Sequence, residues 1–258
     1  MSSDRQFVTA LARGLELLGC FTPEQPLLGN ADLARRTGMA RSSVSRLTHT
    51  LLKLGYLEYD GTTGAYRVGL RVLPLQPAAL AGTHLAEMAA HVEELGSRLG
   101  ATVLLTVYEQ YGFTVIHGAS TATAVNAGDL VGRRYPIPRR AMGRAYMACC
   151  SGHEQEKILA HLAEGDQDMQ AVLEGELDHA VRSYRSQGYC TSLGDVRPGN
   201  HSIGVILHLP HLGRRAALAC GGPADRMTRQ FLRDQVGPRL MESAANIERA
   251  SVGLVGSA

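Results

Sequence analysis

The sequence predicts an α+β chain of two domains: a small helical N-terminal unit closed by a β-hairpin, and a larger mixed α/β unit. Three observations predict it. The N-terminal region carries apolar residues at three- and four-residue spacing, the signature of amphipathic helices. Strand-like runs further on come in pairs joined by turn residues. Between the two regions, "LRVLPLQPAALAG" is apolar but interrupted by Pro74 and Pro77, as a connector is. The 258 residues, 45% hydrophobic and 19% charged, suffice for two packed cores.

The elements follow in order. Val8, Leu11, Leu15 and Leu18 mark a first helix between Phe7 and Cys20, and "TPEQPLLG" breaks it. Asn30 is placed to cap a short helix, "ADLARRT", that ends at Gly38, a residue suited to a left-handed C-terminal position. A third helix runs from Arg41 to Leu54 and stops at Gly55. "YLEYDGTTGAYRVG" reads as two strands around a turn, with a domain boundary expected near Gly82. Leu85, Met88, Val92, Leu95 and Leu99 then mark a helix leading into the paired runs "ATVLLTVYE" and "GFTVIHG". Helical patterns at 141–151 and 174–187 precede two more runs, "HSIGVILHL" and "RRAALAC". A long helix follows from about Thr228, with a kink expected at Pro238.

The third helix carries the first functional signal. On a wheel of 100° per residue, Val44, Leu47 and Leu51 share one side. Ser42, Arg46, His49 and Lys53 lie opposite, with Arg41 and Ser45 on the flanks. An isolated helix of this kind is usually just wet on its polar face. Here, however, a glycine-centred turn separates it from the preceding short helix, the spacing of a helix-turn-helix. The hairpin that follows offers Thr62, Thr63 and Arg67 as a wing along a phosphate backbone. Ser42, Ser43 and Ser45 at the helix start let the backbone approach phosphate closely, and Arg46 and His49 are long enough to reach base edges. Residues 1–83 carry a net charge of +3 and the remainder −1, which puts the basic excess on this segment.

Other classes of function find little support. No run approaches the roughly 20 apolar residues that span a membrane, and "MSSDRQF" lacks a signal-peptide pattern. A soluble, cytoplasmic protein is therefore expected. Cys20, Cys149, Cys150, Cys190 and Cys220 include no C-x-x-C pair, which favours buried reduced thiols over a disulfide framework or zinc site. His208 and His211 flank Pro210 and lack further ligands, so no metal is expected. Nucleophile elbow, phosphate loop and dinucleotide fingerprint are all missing, so neither a cofactor nor catalysis is expected.

"ALARGLELLGCF", "LARRTGMARSSVSRLTHTLLKLGYLEYDGTTGAYRVGLRVLPL", "YPIPRRAMGRAYMA" and "LACGGPADRMT" together resemble the IclR family of bacterial transcriptional regulators, over about Phe7 to Arg249. The resemblance implies a winged helix-turn-helix at 1–70, a linker helix at 71–83 and a GAF-like effector-binding and oligomerisation domain at 84–258. It implies homodimers or tetramers on palindromic, double-stranded operator DNA, responsive to a small organic acid, with aromatic acids among the candidates. The family's pocket maps onto Arg140, Ala141 and Met142 and onto Ser192, Ser202, Ala219 and Gly221. Many members carry an acidic residue at the Ser192 position, a cysteine at Ser202, and serines at Ala219 and Gly221. Arg139 and Arg140 stand where most members have small or neutral residues, and a guanidinium there is able to clamp a carboxylate at two points. Three alternatives stay open on sequence alone: surface arginines beside a degenerate pocket, a thiol-based signal, and a ligand-binding module or enzyme that does not meet DNA.

Overall fold

The computed structural model describes residues 6–22, 25–80, 85–121, 126–165, 167–209 and 213–252. The chain separates into two compact units, 1–81 and 82–258, and Gly82 itself lies outside the described residues.

The first unit contains α1 (Thr9–Leu18), α2 (Asn30–Thr37), α3 (Arg41–Lys53), an antiparallel hairpin of β1 (Leu57–Asp60) and β2 (Ala65–Val68), and α4 (Leu75–Leu80). Leu17, Leu28, Leu33 and Val44 form its buried centre. The N–H of Leu28 donates to the Tyr66 carbonyl and the N–H of Tyr66 donates back, at 3.0 and 2.9 Å, which ties the hairpin to the helices. The α2 cap is Gly29 rather than Asn30: the Gly29 N–H donates to Asp32 Oδ2 at 3.2 Å, so the carboxylate at the third position does the capping. Gly38 takes φ +66° and Gly55 φ +76°, left-handed stops that a Cβ would strain. Pro77 falls in the first turn of α4, where a missing N–H is tolerated.

The second unit is built on a six-stranded antiparallel sheet of order β5-β4-β3-β8-β7-β6. Its strands are β3 (Thr102–Glu109), β4 (Gly112–Ala119), β5 (Arg134–Pro136), β6 (Cys190–Leu193), β7 (Asn200–Leu209) and β8 (Arg214–Pro223). α5 (Leu85–Leu99) and α10 (Gly237–Val252) pack against the sheet and each other, burying Met88, Val92, Leu240 and Ile247. α6 (Ala141–Cys149) lies on β6, β7 and β8, with α7 (Gly152–Gly165) and α8 (Gln167–Gln187) packed beyond it. Before α10, a short α9 (Arg229–Phe231) passes into a widened turn at Leu232–Val236. Pro238 lacks the N–H that would close the preceding turn, so the irregularity expected at this proline falls just before it.

Two findings go beyond the sequence reading. α7 is a full helix, started by Ser151 and Glu154: the Ser151 N–H donates to Glu154 Oε2 at 2.9 Å and the Glu154 N–H to Ser151 Oγ at 3.3 Å. α8 begins at Gln167, seven residues before the expected start at 174.

α6 is seated on bare backbone. A Cβ on Gly143 would lie 1.9 Å from the Ile137 carbonyl oxygen, and one on Gly204 of β7 would lie 2.7 Å from the Met142 nitrogen. Gly143→Ala and Gly204→Ala should therefore each cost about 2 kcal/mol or more in urea unfolding, through forced displacement of α6. Gly175→Ala is the contrasting case, because that exposed position in α8 has nothing within 4 Å. It should gain up to about 1 kcal/mol from helix propensity alone.

Candidate functional site

In the first unit, α3 does not sit quite as its hydrophobic pattern suggests. Val44 and Thr48 are the fully buried positions, while Leu47 and Leu51 are half-buried. Thr48 tolerates burial because its Oγ1 donates to the Ser45 carbonyl at 3.1 Å. The consequence is an exposed stripe of Arg41, Ser42, Ser45, Arg46 and His49, with Ser43 half-buried beside it. Among the described residues no carboxylate pairs with Arg41, Arg46 or Lys53, so this face keeps its positive charge for a partner.

The hairpin is differently disposed. Thr62 and Thr63 stand exposed at its tip, where their N–H groups donate to Asp60 Oδ1 at 2.8 and 3.4 Å. Those bonds, led by the Thr62 N–H, hold the Asp60 carboxyl below the usual aspartate range. Arg67 is already engaged, its guanidinium 2.8 Å from Glu58 Oε2 on the neighbouring strand. Beside α3 runs an open apolar groove of about 700 Å³, lined chiefly by Leu11, Leu15 and Leu18 of α1 and Leu47, Leu51 and Leu54, with Arg13 and Arg46 also lining it. Leu11, Leu15 and Leu54 remain 56–62% exposed there, an unusual amount of uncovered leucine for one surface.

In the second unit the eight expected effector residues come from the segment Arg139–Met142 at the start of α6 and from β6, β7 and β8. Ser192, Ser202 and Gly221 stand in register across β6, β7 and β8. Ala219 lies one step along, opposite Gly204, the glycine on which the Met142 backbone rests. Arg139 adopts φ +62°, a left-handed conformation uncommon for a residue with a side chain. It is held there: buried Ser192 donates its Oγ hydrogen to the Arg139 carbonyl at 2.7 Å. Ala141 and Met142 are buried in the first turn of α6, and Met142 Sδ lies 3.8 Å from the buried hydroxyl of Thr106.

Arg140 is the open valence of this region. Its guanidinium stacks over the Tyr135 ring, 4.5 Å from the centroid, and its buried Nε has no hydrogen-bond partner. Burial lowers its pKa from the usual arginine value, only partly offset by Tyr135, and no carboxylate among the described residues compensates.

The sequence reading missed Arg144, one turn into α6. It binds Glu176 of α8 through two bonds (2.6 and 2.9 Å), Asp195 of the β6–β7 loop at 2.9 Å, and the Thr191 carbonyl at 2.6 Å. Its partners are 32, 51 and 47 residues away, beyond any local pattern. Burial raises the Asp195 pKa, but the Leu193 N–H and Arg144 outweigh it and hold the carboxyl below its usual value. Burial also pushes the thiols up: Cys150 to about 11, Cys190 and Cys220 to about 12. Among the described residues no cluster of ligating side chains fits a metal ion, and no helix is long and apolar enough to cross a membrane.

A winged helix-turn-helix followed by an α/β domain with a six-stranded antiparallel sheet is the architecture of a transcriptional regulator with an effector-binding domain. The family comparison agrees. Residues 10–61 match the IclR helix-turn-helix domain, and residues 78–249 match the bacterial transcriptional regulator IclR C-terminal domain. The HTH-type transcriptional regulator TsaQ1/TsaQ2 of Comamonas testosteroni is 30% identical over 93% of this chain and 87% of its own. A crystal structure of an IclR family regulator from Brucella abortus, 35% identical, superposes with a TM-score of 0.84 over 96% of this chain and 94% of its own. An IclR homologue from Microbacterium hydrocarbonoxydans, solved in complex with 4-hydroxybenzoate, shares the fold at 23% identity, with a TM-score of 0.67 over 94% and 98% of the two chains. The chain belongs to the IclR family of transcriptional regulators.

The depressed Asp195 carboxyl gives a signed pH dependence. Its contribution to stability is complete above the ordinary aspartate pKa of about 3.9 and disappears as pH falls through its lower folded value. Thermal melts across the acid range should show the wild type losing stability more steeply than Asp195→Asn.

Proposed function

We propose that the protein binds palindromic operator DNA as a homodimer and releases or reshapes that contact when a small organic acid occupies its second domain. The observation that carries the reading is the exposed, uncompensated stripe Arg41, Ser42, Ser45, Arg46 and His49, backed by Val44 and Thr48. A helix so presented suits the major groove, where arginine pairs with guanine. Ser43 and the exposed hairpin tip, Thr62 and Thr63, supply neighbouring contacts to the sugar-phosphate backbone, with Arg67 already neutralised by Glu58.

The apolar groove of α1 and α3 supports the dimer. A second copy covering its leucines removes them from water, and two-fold symmetry sets the two recognition helices one DNA turn, or a multiple of it, apart. Arg140 supports the acid: an ionised carboxylate satisfies both its charge and its unbonded Nε. The reading is supported nearby by Ser192, which holds the Arg139 carbonyl, by Ala141 and Met142 in the first turn of α6, and by Ser202, Ala219 and Gly221 on the neighbouring strands. The raised thiol pKa values speak against a redox signal, since thiolates do that chemistry. For the effector to act, it must bind the two DNA-related arrangements with different affinity.

Two experiments test the reading. In gel retardation with the DNA upstream of the protein's own gene, the wild type should bind and lose affinity steeply with salt. Arg46→Ala should weaken binding and, if the side chain meets phosphate, reduce the slope of log K against log salt by about 1; no retardation at low salt overturns the DNA assignment. In thermal-shift assays with a panel of carboxylic acids that includes 4-hydroxybenzoate, an acid that stabilises the wild type should lose that effect in Arg140→Ala. An unchanged shift overturns the assignment of Arg140.

A further inference from the structure

We infer that Arg144 is the positioning residue of the effector site, holding the first turn of α6 so that Arg140 faces its ligand; this rests on the proposed reading of Arg140. As the N-terminal cap of α6, Arg140 makes no side-chain capping bond, and the residue before it is in a left-handed conformation. Nothing local fixes the direction of its side chain except the Tyr135 ring.

The backbone around it, by contrast, is fixed from two sides. On one side Ser192 Oγ holds the Arg139 carbonyl. On the other, the Arg144 N–H donates to the Arg140 carbonyl at 2.9 Å. The Arg144 guanidinium then carries that grip outward to three other elements. It makes a forked pair with Glu176 on α8, a bond to Asp195 beyond β6, and a bond to the Thr191 carbonyl within β6. Its side chain is only 12% exposed, so these bonds are little weakened by water. Asp195 in turn accepts the Leu193 N–H at 2.9 Å, which draws the end of β6 into the same cluster.

The two arginines divide the work by their surroundings. Arg144 faces two carboxylates and a carbonyl, so its hydrogen-bonding is met from within the protein and it is not a ligand-binding group. Arg140, one turn earlier, faces none. A planar guanidinium can satisfy a forked carboxylate and two further acceptors at once, whereas a lysine ammonium is a point donor with no fork. Arg144→Lys is therefore expected to keep the charge and lose the grip.

The test uses the full chain with Arg144→Lys and, as a milder second variant in case the first folds poorly, Asp195→Asn. Amide hydrogen exchange over peptides spanning 137–147 is measured without ligand, alongside operator affinity. Benzoate and 4-hydroxybenzoate titrations are then followed by thermal shift. The expected result is exchange at Arg144–Met147, whose N–H groups close on the first turn of α6, faster by about tenfold or more and a half-saturating acid concentration raised by a similar factor, as when a two-point charged bond is reduced to one. Ligand-free operator affinity should stay at the wild-type value. Unchanged exchange at this turn in both variants, or a rise spread evenly over the whole domain, overturns the inference. If the wild type itself answers to neither acid, the proposed role of Arg140 loses its support, while the exchange comparison still decides whether Arg144 holds the turn.

Discussion

The second domain depends on a steric constraint, the seating of α6 directly on main chain. At Gly143 the helix meets the Ile137 carbonyl, and at Gly204 the sheet meets the helix start, in each case with no room for a side chain. Close approach of this kind fixes a helix more tightly than interdigitated side chains, because backbone cannot change rotamer. The left-handed turn at Arg139, the Ser192 latch and the Tyr135 stack are all set by where that first turn lies.

The same seat explains how one short stretch holds two arginines in opposite electrostatic situations. Arg144 lies among acceptors drawn from α8, β6 and the loop after it, whereas Arg140 projects over an aromatic ring beyond their reach. Arg144 has its charge met by carboxylates within the protein, whereas Arg140 has a ring and no carboxylate among the described residues, the more costly arrangement for a charge removed from water.

Much of this was legible in the sequence, unevenly. The first domain's helices were readable because they are short and stopped by Gly38 and Gly55, both left-handed in the structure, although the apolar stripe of Val8, Leu11 and Leu15 that marked α1 stays exposed while Leu17 is buried. The exact facing of α3 was not, since hydrophobic periodicity favours Leu47 over Thr48, and only a local hydroxyl-to-carbonyl bond makes threonine the buried residue. In the second domain the paired strand runs were visible, whereas β5 and β6 span only three and four residues, too short to carry a period. The start of α7 was marked by a capping box, Ser151 to Glu154, that the sequence reading passed over. The effector positions came from family resemblance alone, since nothing in their spacing links Arg139–Met142 to β6, β7 and β8. The partners of Arg140 and Arg144 were invisible, because tertiary contacts alone bring Tyr135, Glu176 and Asp195 to them.

The pairing of Arg67 with Glu58 bears on how such a protein finds its site. With its one arginine cancelled across the strands, β2 presents no net charge opposite β1 and Asp60 leaves the hairpin slightly acidic. Exposed charges more than a Debye length apart, about 8 Å at physiological salt, are largely screened, so the uncompensated positive charge on α3 acts at short range. The hairpin, slightly acidic overall, adds nothing to that positive charge. What its exposed tip, Thr62 and Thr63, presents to a neighbour is hydroxyls and shape rather than positive charge.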